Sequence, residues 1–98
     1  EAVAVDPQRG HLYLTEDVPD GCWYRYTAKR RDRRGRPDLD DGVLEAALVA
    51  DDGHVTWLPV PDPVATTVDT RRQVPEATRF NGGEGTWCAR GHVYFSTK

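Results

Sequence analysis

Two stretches of this chain are near copies. Residues 9–17 read RGHLYLTED and residues 90–98 read RGHVYFSTK. Each follows a short run that begins with a Glu and a small residue: EAVAV at 1–5 and EGTWC at 84–88. Each copy therefore reads as strand, Gly-containing turn, strand. A chain that repeats a hairpin points to stacked or radially repeated sheets.

The remaining sequence agrees with strands. DPQRG (6–10) and DVPDG (17–21) are turns, and CWYRYTA (22–28) alternates its side chains between two faces. VLEAALVA has helix-forming composition. It is only eight residues long and lies between Gly42 and a DDG turn, so it reads as a strand. HVTWLPV is extended and ends at PDP. Short strands joined by turns belong to all-β sandwiches, barrels or propellers. Residues 61–83 show no strand pattern and allow one helical turn near Pro75–Thr78. The expectation is an all-β, propeller-like fragment. Residues 1–60 form an antiparallel four-stranded blade (1–5, 11–16, 22–28 and 43–50, with 55–60 trailing), 61–83 connect, and 84–98 are the inner hairpin of a second blade.

With 98 residues there is room for one small domain. A net charge of −3 is too mild to announce nucleic acid or an anionic membrane as partner. No apolar run approaches the roughly 20 residues of a membrane helix. The chain opens on one strand and stops on another, which suggests a piece of a longer protein. Exposed strand edges in such a piece invite a homodimer or strand exchange.

The antiparallel geometry makes a chemical prediction. The start of a hairpin's first strand lies beside the end of its second. Glu1 and Glu16–Asp17 then share one end of the first blade, and Glu84 takes the corresponding place in the next. Carboxylates this close repel unless a cation sits among them. Oxygen-only ligands suit a hard ion such as calcium. The plain alternative is that Glu1 and Glu84 are solvated and Asp17 only starts a turn.

EAVAVDPQRGHLYLTEDVPDGCWYRY, TWLPVPDP and ATRFNGGEGTWCARGHVYFSTK together resemble the PhoX-type alkaline phosphatase family. The resemblance spans nearly the whole chain except the basic loop and its acidic neighbour. It implies a phosphomonoesterase on a β-propeller, a calcium and iron centre in the axial channel, a phosphate monoester substrate, and export by the twin-arginine route. Carried over by position, Glu16 of LTED and Glu84 of GGEG look like metal ligands, and Glu1 takes a family Glu position. The family places a phosphate-holding Arg two residues before the last Glu; here that residue is Gly82, and Arg79 stands further back. With a partial ligand set, the segment alone is expected to be inactive. A non-catalytic propeller with a calcium-dependent axial site is the alternative that Gly82 favours. A third reading is an independent β interaction module, in which the repeat is incidental.

Other features read as structural. KRRDRRGR (29–36) carries six positive charges but has no interleaved aromatics for base stacking, so it reads as a solvated loop. DLDDG with Glu45 lacks the full ligand ladder of a calcium loop. His11 and His92 repeat as edge positions. Trp23, Trp57 and Trp87 read as packing residues. Cys22 and Cys88 read more readily as buried small apolar groups than as a bridged pair.

Overall fold

The computed structural model describes residues 1–98. Five strands, β1 (Val3–Asp6), β2 (His11–Thr15), β3 (Trp23–Ala28), β4 (Gly42–Val49) and β5 (Val55–Pro59), pair in chain order. Each is antiparallel to the one before. β6 (Gly83–Ala89) and β7 (His92–Thr97) form a separate two-stranded sheet. The all-β expectation holds, and the architecture is compatible with a propeller-like fragment. Residues 55–60, read as trailing, supply β5 and widen the sheet from four strands to five.

The turns show why the strands end where they do. After β1 the Asp6 carboxylate accepts the backbone N–H groups of Gln8 and Arg9, at 3.1 and 3.3 Å. Gly10 then closes the turn at φ 74°. Between β6 and β7, Arg90 and Gly91 both take positive φ, 52° and 77°. Two such residues in a two-residue loop twist the way adjoining strands twist.

Register sorts the side chains. Leu14, Tyr24, Ala46 and Leu58 are consecutive cross-strand partners and share one face. Cys22, Tyr24, Ala46, Val60, Val74 and Ala77 form the buried core there, with Leu14, Leu44 and Leu58 against it. Val74 and Ala77 come from the stretch after β5, so that connection closes the core. Its one helical turn is a 3-10 turn at Thr70–Arg72, earlier than expected. Hydrogen bonds hold the connection to the sheet: Thr78 N–H to the Ala47 carbonyl at 2.9 Å and Val49 N–H to Thr78 Oγ1 at 2.7 Å.

The opposite face carries Tyr13, Trp23 and Trp57. Phe95 of β7 stacks on Trp23 at 4.8 Å, and Trp23 lies 5.1 Å from Trp57. Each such aromatic pair adds about 0.5–1.5 kcal/mol beyond its buried area. The second hairpin thus docks on the sheet through its aromatic inner face. Trp87 departs from the packing expectation. Its side chain lies on the outer face of β6 and is 60% exposed. Both cysteines are free; Cys22 is buried and Cys88 is half-buried.

The basic stretch is more ordered than a solvated loop requires. Asp32 Oδ1 accepts the N–H groups of Arg34 and Arg36, each at 2.9 Å, and Asp32 Oδ2 takes Arg36 Nε at 2.6 Å.

Candidate functional site

The ends of the two hairpins meet at Thr15. Its hydroxyl donates to the Glu84 carbonyl at 2.6 Å and accepts Ala2 N–H at 3.0 Å. Gly83 N–H donates to the Glu16 carbonyl at 3.1 Å. Residues far apart in sequence are thereby fixed at one end of the fold. Gly83 suits the junction because a β-carbon there would press on Thr15 Cβ at 3.0 Å.

Glu16 and Asp17 are consecutive and engage different cations. Glu16 Oε1 accepts Cys22 N–H at 3.0 Å and the Tyr24 hydroxyl at 2.9 Å. Glu16 Oε2 lies 3.6 Å from Arg71 Nη1. Arg71 Nε is also 3.2 Å from Asp20 Oδ1, close enough for charge attraction but off the line for a hydrogen bond. Burial pushes the Tyr24 phenol far above its ordinary value, with help from Cys22 and Glu16. Burial also raises the Cys22 thiol, although Arg79 Nη1 lies 2.8 Å from Sγ and opposes the shift.

Asp17 Oδ1 is 3.0 Å from Lys98 Nζ, which is 3.8 Å from Glu84 Oε1. The Lys98 ammonium holds the Asp17 carboxyl below the usual aspartate range, and Asp17 in turn raises Lys98. Glu1 lies elsewhere. With Glu16, Tyr24 and Thr70 it lines an open cleft of about 470 Å³ floored by Leu14 and Leu44.

The structure therefore brings the named acids together in two pairs. Glu1 and Glu16 share the cleft; Glu84 shares Lys98 with Asp17. No group of three His, Cys, Asp or Glu side chains gathers in metal-binding geometry. The donor chemistry still fits a hard cation, because Asp17 and Glu84 present oxygens to one positive centre.

Gly82 has a local reason to be Gly. It takes φ 68°, and its N–H donates to the Val18 carbonyl at 2.9 Å. A β-carbon there would lie 2.8 Å from Lys98 Cδ and 3.1 Å from Asp17 Oδ1. A side chain here would strain the backbone and displace the Lys98 side chain. The Arg79 guanidinium is held by Cys22 Sγ and by the Val74 carbonyl at 3.1 Å.

Sequence reasoning missed Arg71, Lys98, Thr15 and Tyr24 as members of this site. Lys98 becomes legible only once Gly83 is known to pair with Thr97. Arg71 lies in a segment without periodicity, and nothing local marks it. The Thr-Glu-Asp order at the end of β2 was the one signal available for Thr15.

No helix is long and apolar enough to cross a membrane. Comparison with curated proteins and with solved structures returns no match. The sequence profile described as alkaline phosphatase PhoX matches residues 1–98. On that match, which covers the whole length, the chain belongs to the PhoX alkaline phosphatase family.

Proposed function

We propose that this chain supplies carboxylate ligands to the axial calcium and iron centre of a PhoX-type phosphomonoesterase, with Glu16, Glu84 and Glu1 as the ligands. Family membership over residues 1–98 supports the link to phosphate ester hydrolysis. The observation that carries the ligand assignment is the Thr15 bridge. Its bond to the Glu84 carbonyl spans 69 residues of sequence and sets the acidic ends of two hairpins side by side. Asp17 joins the set because it already flanks a cation position with Glu84.

Ions bound there would neutralise and polarise the phosphoryl oxygens. The chain's own residues orient the ligands. Tyr24 and the Cys22 N–H hold one Glu16 oxygen and leave Oε2 facing Arg71. The Lys98 hydrogen bond lowers the Asp17 pKa and so favours the ionised form a ligand needs. Calcium takes about six to eight oxygens, so the rest of its shell comes from other residues of the enzyme, and the 98 residues alone turn over no phosphate ester. Export by the twin-arginine route belongs to the same proposal.

Two measurements test it. The isolated chain, given an aryl phosphate with calcium and ferric iron, is expected to show no turnover; clear turnover overturns the inactivity. In the intact enzyme containing this chain, Glu16→Gln and Glu84→Gln each lower bound metal measured by elemental analysis; full metal content in both variants overturns the ligand assignment.

Gly82 favours a second reading, a non-catalytic propeller with a calcium-dependent axial site. Its left-handed backbone disfavours a side chain, and the position holds no phosphate-binding Arg. Metal binding by the intact protein without phosphatase activity selects this reading.

A further inference from the structure

The charges of this chain are segregated along the strand direction. The β1–β2 turn follows the Asp6–His11 pair, the β3–β4 excursion follows Ala28–Gly42, and the β6–β7 turn follows Ala89–His92. These three connections meet at one end of the fold. Arg31 Nη1 donates to the Pro7 carbonyl at 3.3 Å, and a β-carbon on Gly91 would lie 3.9 Å from Arg9 Nη1. Thr15, Glu16 and Glu84 stand at the opposite ends of the same hairpins.

Eight of the 13 Lys and Arg residues belong to this end, and all eight are exposed. Three acids there are neutralised in place: Asp6 by Arg9 at 2.9 Å, Asp32 by Arg36 at 2.6 Å and Asp41 by Lys29 at 3.5 Å. Arg30, Arg31, Arg33, Arg34 and Arg90 form no ion pair, and only Asp38 and Asp40 stand against them. With eight cations and five acids, this end is strongly positive within a chain of net charge −3. The excursion is also held in shape, by Asp32 and by the Arg31–Pro37 bridge, so docking its guanidinium groups costs little ordering. The connections lie at strand ends, away from the faces and edge strands on which neighbouring sheets of a larger fold pack.

We propose that this basic end docks on an anionic phospholipid surface. Charge complementarity carries the assignment: cations spread over three turns meet many headgroups at once, as a polybasic segment does at a charged leaflet. No aromatic side chain interleaves the basic excursion to stack on bases, which disfavours nucleic acid as the occupant. Docked this way, the end that carries Glu16 and Glu84 faces away from the surface. The proposal stands apart from the metal assignment.

Co-sedimentation of the 98-residue chain with lipid vesicles tests it. At about 0.05 M NaCl the chain binds phosphatidylcholine vesicles that contain phosphatidylglycerol, ignores pure phosphatidylcholine, and is released at about 0.5 M NaCl, where screening is short-ranged. Arg33→Glu and Arg90→Glu, on separate connections, each weaken binding at least about tenfold, because one basic residue near such a surface is worth about fivefold and a reversal counts twice. Arg72→Glu makes the same charge change at an exposed position on the 3-10 turn, outside this end, and weakens binding by less than about twofold. Arg34→Glu takes the place of Arg90→Glu if circular dichroism shows that the latter has lost its fold. Absence of binding at low salt overturns the proposal, as does equal binding to pure phosphatidylcholine or an equal loss in Arg72→Glu. Tighter binding to duplex DNA than to the charged vesicles, at the same salt, overturns the lipid assignment.

Discussion

The Tyr24 hydroxyl donates to Glu16 Oε1 at 2.9 Å, and so ties an acid at the sheet end directly to the hydrophobic core. The same oxygen takes the Cys22 N–H. Tyr24→Phe removes one of these bonds and leaves the carboxylate otherwise held. A hydrogen bond to a charged group contributes about 1.5–3 kcal/mol, and a loss at the lower end of that range is expected. Urea denaturation of wild type and variant measures it.

Alkali should unfold this protein through its buried phenols. Tyr24 and Tyr13 both titrate above the ordinary value of 10.0, burial being the main cause in each. An acid whose folded value is raised contributes stability that is fully present below pH 10.0 and is lost as the pH climbs toward the folded value. Thermal midpoints followed by circular dichroism on either side of pH 10 should fall with rising pH. Tyr24→Phe should flatten that slope.

Two glycines at the site should respond differently to a methyl group. Gly82→Ala meets a left-handed backbone, φ 68°, and a movable Lys98 side chain. Its cost is about 1–2 kcal/mol. At Gly21 the added carbon collides with the Glu16 carbonyl oxygen, which cannot swing aside. Gly21→Ala should cost more, about 2–3 kcal/mol. Chemical denaturation of the two variants side by side checks the order.

Thr15→Val should loosen the union of the two hairpins. The hydroxyl both accepts from Ala2 and donates to Glu84, and Thr15 is buried. An isosteric apolar replacement leaves two backbone groups without partners, at about 1–3 kcal/mol. Faster amide hydrogen exchange in β1 and at the start of β6, relative to β3 and β4, is the expected signature.

Alternation and turn residues made the strands readable. CWYRYTA places Tyr24 and Trp23 on opposite faces, and the structure buries one in the core and stacks the other under Phe95. Each RGH turn joins two antiparallel strands, β1–β2 and β6–β7, as the repeated pattern predicts. Val74 and Ala77 were not legible as core, since a segment without periodicity gives no face to read. Trp87 misled because a large aromatic is ordinarily buried, yet here it stands on an outer face. At the site, acids are visible as letters, but their partners Arg71 and Lys98 depend on loop path and strand register.

Asp32 anchors two backbone amides and one guanidinium within its own turn. The tip between β3 and β4 thus folds upon itself, and the excursion is also tied to the sheet: Lys29 N–H bonds the Asp41 carbonyl at 3.0 Å, the Tyr26 hydroxyl donates to the Asp38 carbonyl at 2.8 Å, and Arg31 Nη1 donates to the Pro7 carbonyl at 3.3 Å. A charge removed at Arg31 is therefore felt at the turn that leads into β2, and a spectroscopic label on the neighbouring, exposed Arg33 position would report on that coupling.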